Sequence, residues 1–183
     1  KMTTGLEIWK SARAQGIQAE FLATGQIGIA ISGRGIPLDA IRVDYAGGAV
    51  EKMVLDAADA ALAIIEGQGS LLHPGSSSTL PLLRGACPTH LILCHRAGMT
   101  ELDTVGVTVK VPPLNEVIAL YEDVASACGI YSRPVTVGIA LNTAHLDDDQ
   151  AQRAVSETAD ATGRLVLDPV RQGCDRWVDA LMA

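Results

Sequence analysis

The sequence predicts an α/β fold built on a mostly parallel sheet with helices on both faces. Three observations lead there. Apolar residues make up 48% of the 183 residues, which excludes disorder and calls for a large core. Aromatic residues are only 3%, so that core falls to Ala, Val, Leu and Ile, the side chains that fill a parallel sheet covered by helices. Short aliphatic runs alternate with stretches of helical periodicity, the pattern of parallel strands joined by helical crossovers.

The elements follow in order. Met2, Leu6 and Trp9 recur at helical spacing and Gly16 closes the segment, which predicts an amphipathic helix. Ala19 to Ala23 reads as a strand, Thr24 to Gly35 as a glycine-rich loop, and Ile41 to Asp44 as a short extended piece. Val50, Met53, Val54, Ala57 and Ala61 present one face of a second helix. Leu62 to Ile65, ended by Glu66-Gly67, has the look of a fully buried strand. Ser76 to Arg84 suits a short helix and Thr89 to His95 another buried strand. Pro112-Pro113 start a helix whose inner face is Leu114, Val117, Ile118, Tyr121, Val124, Ala125 and Cys128. Val135 to Leu141 is the next strand, and the acidic triplet Asp147 to Asp149 complements the dipole of the helix it opens. Arg164 to Leu167 and Asp175 to Met182 complete the chain as strand and helix.

Length fits one domain. Lys plus Arg total 14 against 21 Asp plus Glu, a formal charge of −7, which argues against a nucleic-acid partner because phosphate contacts need a basic face. No apolar run approaches the roughly 18 to 20 residues of a membrane helix, and the polar, periodic first residues are not a signal peptide. A cytoplasmic protein acting on a small molecule is expected, with a homo-oligomer as its assembly. Cys87, Cys94, Cys128 and Cys174 show no metal-ligand spacing and read as buried free thiols. The four histidines show none either, and His90 and His145 have no companions that single them out.

Chemistry concentrates where predicted strands end and helices begin. Lys1-Met2-Thr3-Thr4 opens the first helix. In a phosphate-binding loop the backbone amides and positive helix end cradle phosphate while a lysine neutralises it. Lys1 suits that part, with a hydroxyl from Thr3 rather than from the residue directly after the lysine; the alternative is a solvated helix start. Glu66 stands at the carboxyl end of a predicted strand beside Gly67-Gln68-Gly69-Ser70, the place where α/β sheets take ligands. It either caps the next turn, or acts as a base, or holds Mg²⁺. Asp44 is a second acidic candidate, before Gly47-Gly48. His95 is a possible proton carrier and Arg96 an anion clamp, both at a strand end. His73 lies on the loop after Glu66. Gln26 and Arg34 are within reach of a ligand on the glycine-rich loop, which lacks the GxGxxG of a nicotinamide site. Asp168-Pro169-Val170-Arg171 follows the last strand and either lines the same rim or forms a solvated turn, the reading preferred here.

Together, Lys1 to Glu7, Ala23 to Gly28, Val43 to Ala49, Ile65 to Pro74 (Ile-Glu-Gly-Gln-Gly-Ser-Leu-Leu-His-Pro), Leu93 to Arg96 and Asp168 to Arg171 resemble the DgcN-type family. These P-loop proteins, long catalogued as a domain of unknown function, include D-glutamate N-acetyltransferases. The resemblance covers essentially the whole chain, and the EGQGS-x-x-HP segment is its most specific part. It implies a P-loop NTPase-like fold similar to dethiobiotin synthetase, with residues 1–183 forming a C-terminal P-loop domain that begins at the loop's lysine. An upstream central strand and a small Rossmann-like N-terminal domain are then expected outside this sequence. The implied chemistry is acetyl transfer from acetyl-CoA to the amino group of D-glutamate. Lys1, Thr3, Thr4 and Gln26 are then expected at the phosphates, Arg96 and His73 at the substrate, and Glu66 or His95 as base. The competing reading is ATP with Mg²⁺, in a kinase or ligase of the dethiobiotin synthetase type, with Asp44 and Glu66 at the metal. A third is a nucleotide-binding module without catalysis.

Overall fold

A computed structural model describes residues 1–102 and 104–183. The chain divides into two compact units, Lys1–Pro88 and Thr89–Ala183.

The first unit runs α1 (Met2–Ala14), β1 (Ala19–Leu22), α2 (Gln26–Ser32), α3 (Val43–Leu55), β2 (Leu62–Ile65) and α4 (Thr79–Ala86). Strands β1 and β2 pair in parallel from Ala19 opposite Leu62 to Leu22 opposite Ile65. Gly5 lets α1 lie directly on the Phe21 ring, because a Cβ there would stand 2.9 Å from Phe21 Cε2. The Trp9 indole donates to the Ala19 carbonyl at 3.0 Å, and the Arg13 guanidinium stacks 5.0 Å from the Trp9 ring centre. Leu38, Ala46, Val50 and Leu82 form this unit's buried cluster, and each large aliphatic side chain withdrawn in this way contributes roughly 1.5–3 kcal/mol.

The second unit runs β3 (His90–Arg96), β4 (Glu101–Leu102), β5 (Val109–Lys110), α5 (Leu114–Ser126), β6 (Val135–Asn142), α6 (Asp148–Thr162), β7 (Val166–Leu167) and α7 (Asp175–Met182). Its sheet has the order β3-β6-β7, all parallel, while β4 and β5 make a small antiparallel ribbon. Strand β6 is paired along both edges, so its run Ile139-Ala140-Leu141 is buried as a central parallel strand must be. Ile118 of α5, Val155 of α6 and Val166 of β7 close the core around Ile139 and Leu141. The acidic triplet works as its charge predicts. The Asp147 carboxylate accepts from the Gln150 amide at 2.8 Å, and the Gln150 side chain accepts from the Asp147 amide at 3.2 Å, a reciprocal cap.

Several expectations are corrected. Residues 24–35 are not a loop throughout, since α2 occupies Gln26–Ser32 with Gly25 before it and Gly33 after it at φ 78°. The glycines mark helix caps and a close approach rather than irregular backbone. Ile41 to Asp44 is not one extended piece: α3 starts at Val43 and takes Asp44, Gly47 and Gly48 into its first turns, then ends at Leu55, short of Ala61. Leu62 to Ile65 and the core of β3 are half-buried, not fully buried. Among the described residues each of these strands is paired along one edge only. Of the thiols only Cys174 is buried. Cys94 is half-buried, whereas Cys87 and Cys128 are exposed where helical segments end in left-handed backbone.

Gly138 provides a test of the second unit. A Cβ at this position would overlap the Trp177 indole nitrogen and stand 2.5 Å from the Leu165 carbonyl oxygen, and Trp177 is fully buried. Gly138→Ala is expected to lower stability by about 2–3 kcal/mol, the cost of overpacking against backbone and a large ring. Urea unfolding followed by Trp fluorescence measures it, and an unchanged midpoint would contradict this packing.

Candidate functional site

The site in the first unit is built from the start of α1 and the segment that leaves β2. Lys1 is the residue before the first helical turn; no side chain caps that turn and no acidic residue lies in it. The positive end of the helix dipole therefore lies beside Lys1. Thr3 is exposed, and Thr4 is turned inward at 7% exposure. The Lys1 ammonium donates to the Gly69 carbonyl at 2.8 Å. Its stem runs along Gly67, whose absent Cβ would stand 3.2 Å from Lys1 Cδ. Lys1 thus lies against Gly67 and Gly69 of the Glu-Gly-Gln-Gly segment, whereas the Glu66 carboxylate is turned to Thr24 and Gly25.

The loop is held from its other side by residues that sequence reasoning did not single out. The Ser76 hydroxyl accepts from the Ser70 amide at 3.0 Å and lies 3.0 Å from the Thr79 hydroxyl, which donates to the Gln68 carbonyl at 2.9 Å. Gly69 has φ 61°, and a Cβ there would overlap Ser76 Oγ and come within 2.7 Å of Thr79 Oγ1, so position and conformation both require glycine. The serine run 76–78 beside the glycines was the available signal.

Glu66 is 5% exposed. Its Oε2 accepts from the Thr24 amide at 2.9 Å and the Gly25 amide at 3.1 Å, while the Thr24 hydroxyl donates to the Glu66 carbonyl at 2.7 Å. Gly28 of α2 packs against the same carboxylate, where a Cβ would overlap Oε2. A carboxylate at a helix start answers the unpaired amides and the dipole together. Glu66 therefore ties the carboxyl end of β2 to the start of α2.

The other expected residues are placed as follows. Gln26 donates to the Asp39 carboxylate at 3.1 Å, and Arg34 pairs with Glu20. The His73 Nδ1 accepts from the Gly75 amide at 3.1 Å, within its own loop. Asp44 is exposed in the first turn of α3. Among the described residues no group of three His, Cys, Asp or Glu side chains is arranged to hold a metal ion.

In the second unit His95 stands opposite Leu141 on β3 and is half-buried. Burial pushes its imidazole below the usual value, which favours the neutral, proton-accepting form. Arg96 ends the strand and is exposed. Asp168-Pro169-Val170-Arg171 is not a solvated turn, because Asp168 is 5% exposed. Its carboxylate accepts from the Thr143 hydroxyl, from the Val170 amide at 2.9 Å and from the Arg171 and Thr143 amides at 3.2 Å. Burial alone works to raise its pKa; the Thr143 hydroxyl and these amides outweigh it and hold the carboxyl below its ordinary value.

A lysine at the start of a helix, braced on a glycine loop at the carboxyl end of a parallel strand, is an arrangement compatible with the P-loop class of α/β proteins. The family model described as "Domain of unknown function (DUF1611_C) P-loop domain" matches residues 1–178. This chain belongs to that DUF1611 family. A protein named D-glutamate N-acetyltransferase from Tritonibacter scottomollicae is 38% identical over 188 residues, covering 100% of this chain and 54% of that protein. One of the same name from Pseudoalteromonas sp. is 35% identical over 179 residues, covering 97% of this chain and 53% of that protein. The chain thus spans about half the length of these relatives. A crystal structure of a DUF1611 family protein from Anabaena variabilis superimposes with a TM-score of 0.94 at 51% identity, over 99% of this chain and 53% of that one. Among the described residues no helix is long and apolar enough to cross a membrane.

Proposed function

We propose that the protein is an N-acetyltransferase that moves the acetyl group of acetyl-CoA to the amino group of D-glutamate or a similar amino acid. The observation that carries this reading is the Lys1 ammonium seated on the Gly69 carbonyl beside the uncapped start of α1. The names of the two relatives supply the acyl chemistry.

The residues fit an anionic carrier such as CoA. Lys1, the first amides of α1 and the Thr3 hydroxyl offer a cation and neutral donors, with no acidic side chain in the first turn to oppose phosphate. Thr4 is buried and supports the turn from within. Gln26 reaches a ligand only by leaving Asp39, and His73 only by turning from its own loop.

Acetyl transfer needs a base to take a proton from the substrate ammonium before the nitrogen attacks the thioester carbonyl. The C–N bond then forms, the C–S bond breaks, and the CoA sulfur leaves and is protonated. A base must be unprotonated and have a lone pair free to take the proton. Glu66 Oε2 holds two backbone amides, whereas burial lowers the His95 pKa and so favours its neutral, proton-accepting form. His95 is assigned as the base and Glu66 as the group that ties the end of β2 to the start of α2. Arg96, exposed at the end of β3, is assigned to a substrate carboxylate.

The test is product formation from acetyl-CoA and D-glutamate without ATP or Mg²⁺, followed across pH. The rate is expected to fall at low pH as His95 gains its proton, with the midpoint below the ordinary histidine value. His95→Gln is expected to lose about 10²- to 10⁴-fold in rate, the usual worth of a positioned base, together with that limb. Turnover that requires ATP and Mg²⁺ would favour the kinase or ligase reading, and ligand binding without turnover a nucleotide-binding module.

A further inference from the structure

The loop that receives Lys1 is clamped by a chain of hydroxyls whose direction is fixed by the number of protons available. The Thr79 hydroxyl donates to the Gln68 carbonyl at 2.9 Å, and a hydroxyl has a single proton to give. The proton in the 3.0 Å contact between Ser76 and Thr79 therefore comes from Ser76. Ser76 Oγ in turn accepts from the Ser70 amide at 3.0 Å. The chain runs from the Ser70 amide through Ser76 and Thr79 to the Gln68 carbonyl, and so grips the peptide group on each side of Gly69.

The peptide group that follows Gly69 is held at both ends. Its N–H, on Ser70, is taken by Ser76, and its C=O, on Gly69, accepts from the Lys1 ammonium at 2.8 Å. A peptide unit is planar, so fixing the direction of the N–H also fixes that of the carbonyl. The carbonyl on which Lys1 rests is thus aimed by the two hydroxyls. Their base is rigid: Thr79 is 4% exposed in the first turn of α4, and Leu82 of the same helix lies in the buried cluster of the first unit. An ammonium has three N–H donors, so a lysine resting on Gly69 keeps the others for a ligand while its long stem is already ordered. Ordering such a side chain only on binding lowers affinity by about two- to tenfold.

We propose that Ser76 and Thr79 are positioning residues for the phosphate site, aiming the Gly69 carbonyl so that the Lys1 ammonium is held ready for the phosphates of the carrier. This rests on the assignment of Lys1 to phosphate in the proposed function and names the side chains that set its place.

A double-mutant cycle measured by calorimetric titration of the full chain, with acetyl-CoA and with ATP as probes, tests it. Thr79→Val keeps the shape of the side chain and removes the hydroxyl; it is expected to weaken binding by about three- to tenfold and to raise KM for acetyl-CoA with kcat unchanged. In the Lys1→Ala background the same substitution is expected to change affinity by less than about twofold, because the hydroxyl acts through the lysine. Thr79→Ser restores the donor and is expected to bind within about twofold of the parent. Ser76→Ala leaves α4 untouched and is expected to repeat the loss, which keeps the test open should Thr79→Val fail to fold. Parent-like affinity in the hydroxyl-deleted variants, equal losses with and without Lys1, or equal losses in Thr79→Val and Thr79→Ser would overturn the proposal. A parent that binds ATP and not acetyl-CoA contradicts acetyl transfer while the cycle is still read with ATP; a parent that binds neither overturns both.

Discussion

Lys1→Ala is expected to lower kcat/KM for acetyl-CoA by about a hundredfold while leaving the fold intact. Lys1 is exposed, and among the described residues its ammonium makes one hydrogen bond, to the Gly69 carbonyl. A substitution at such a surface position changes stability by about 0.5 kcal/mol or less. A charge-assisted contact to phosphate is worth roughly 1.5–3 kcal/mol, which alone accounts for about one to two powers of ten in binding. The loss also of the cation that holds the loop at Gly69 brings the expectation to the upper end. Steady-state kinetics alongside thermal unfolding separate the two effects. A variant with parent-like kinetics would show that Lys1 is no more than a solvated helix start. A Tm lowered by many degrees would show that the Gly69 contact is chiefly structural.

Glu66 is expected to behave in the opposite way, losing stability when truncated and little turnover when neutralised. Glu66→Ala removes the acceptor for the Thr24 and Gly25 amides at a position only 5% exposed. Each buried donor left unpaired costs about 1–3 kcal/mol, so the first unit is expected to lose about 2–5 kcal/mol, a large fraction of the stability of an ordinary domain. Glu66→Gln retains an oxygen for the two amides and is expected to cost about 1 kcal/mol, with turnover within threefold of the parent. Chemical unfolding and the acetyl-transfer assay on both variants check this. Full stability with a hundredfold loss of turnover in Glu66→Gln would return the role of base to Glu66.

Most of the architecture was legible because it depends on periodicity. The face of α5 at Val117, Ile118 and Ala125 is buried as its spacing predicts, and Asp147 caps α6 as its charge predicts. What escaped has local physical causes. Helix α2 was hidden because its glycines suit caps and the approach of Gly28 to the Glu66 carboxylate, a contact between residues far apart in sequence. The half-burial of β2 and β3 follows from strand pairing, which an aliphatic run alone does not specify. Asp168 reads as an ordinary turn residue because the Thr143 amide and hydroxyl that donate to it come from 25 positions earlier in the chain. In the site, Lys1 and the EGQGS segment were readable from residue type and place. The bracing of that segment by Ser76 and Thr79 needed the coordinates, because a serine or threonine carries the same letter in the sequence whether or not its hydroxyl holds a loop.

The most direct test of the phosphate site is calorimetric titration with acetyl-CoA in the absence of divalent metal, for the parent and for Lys1→Ala. Saturable binding by the parent, weakened about tenfold or more in the variant and diminished by added salt, is the predicted result. Equal affinity in the two proteins, or no binding of acetyl-CoA while ATP with Mg²⁺ binds tightly, would contradict the assignment of this lysine and its glycine loop to the carrier of the acetyl group.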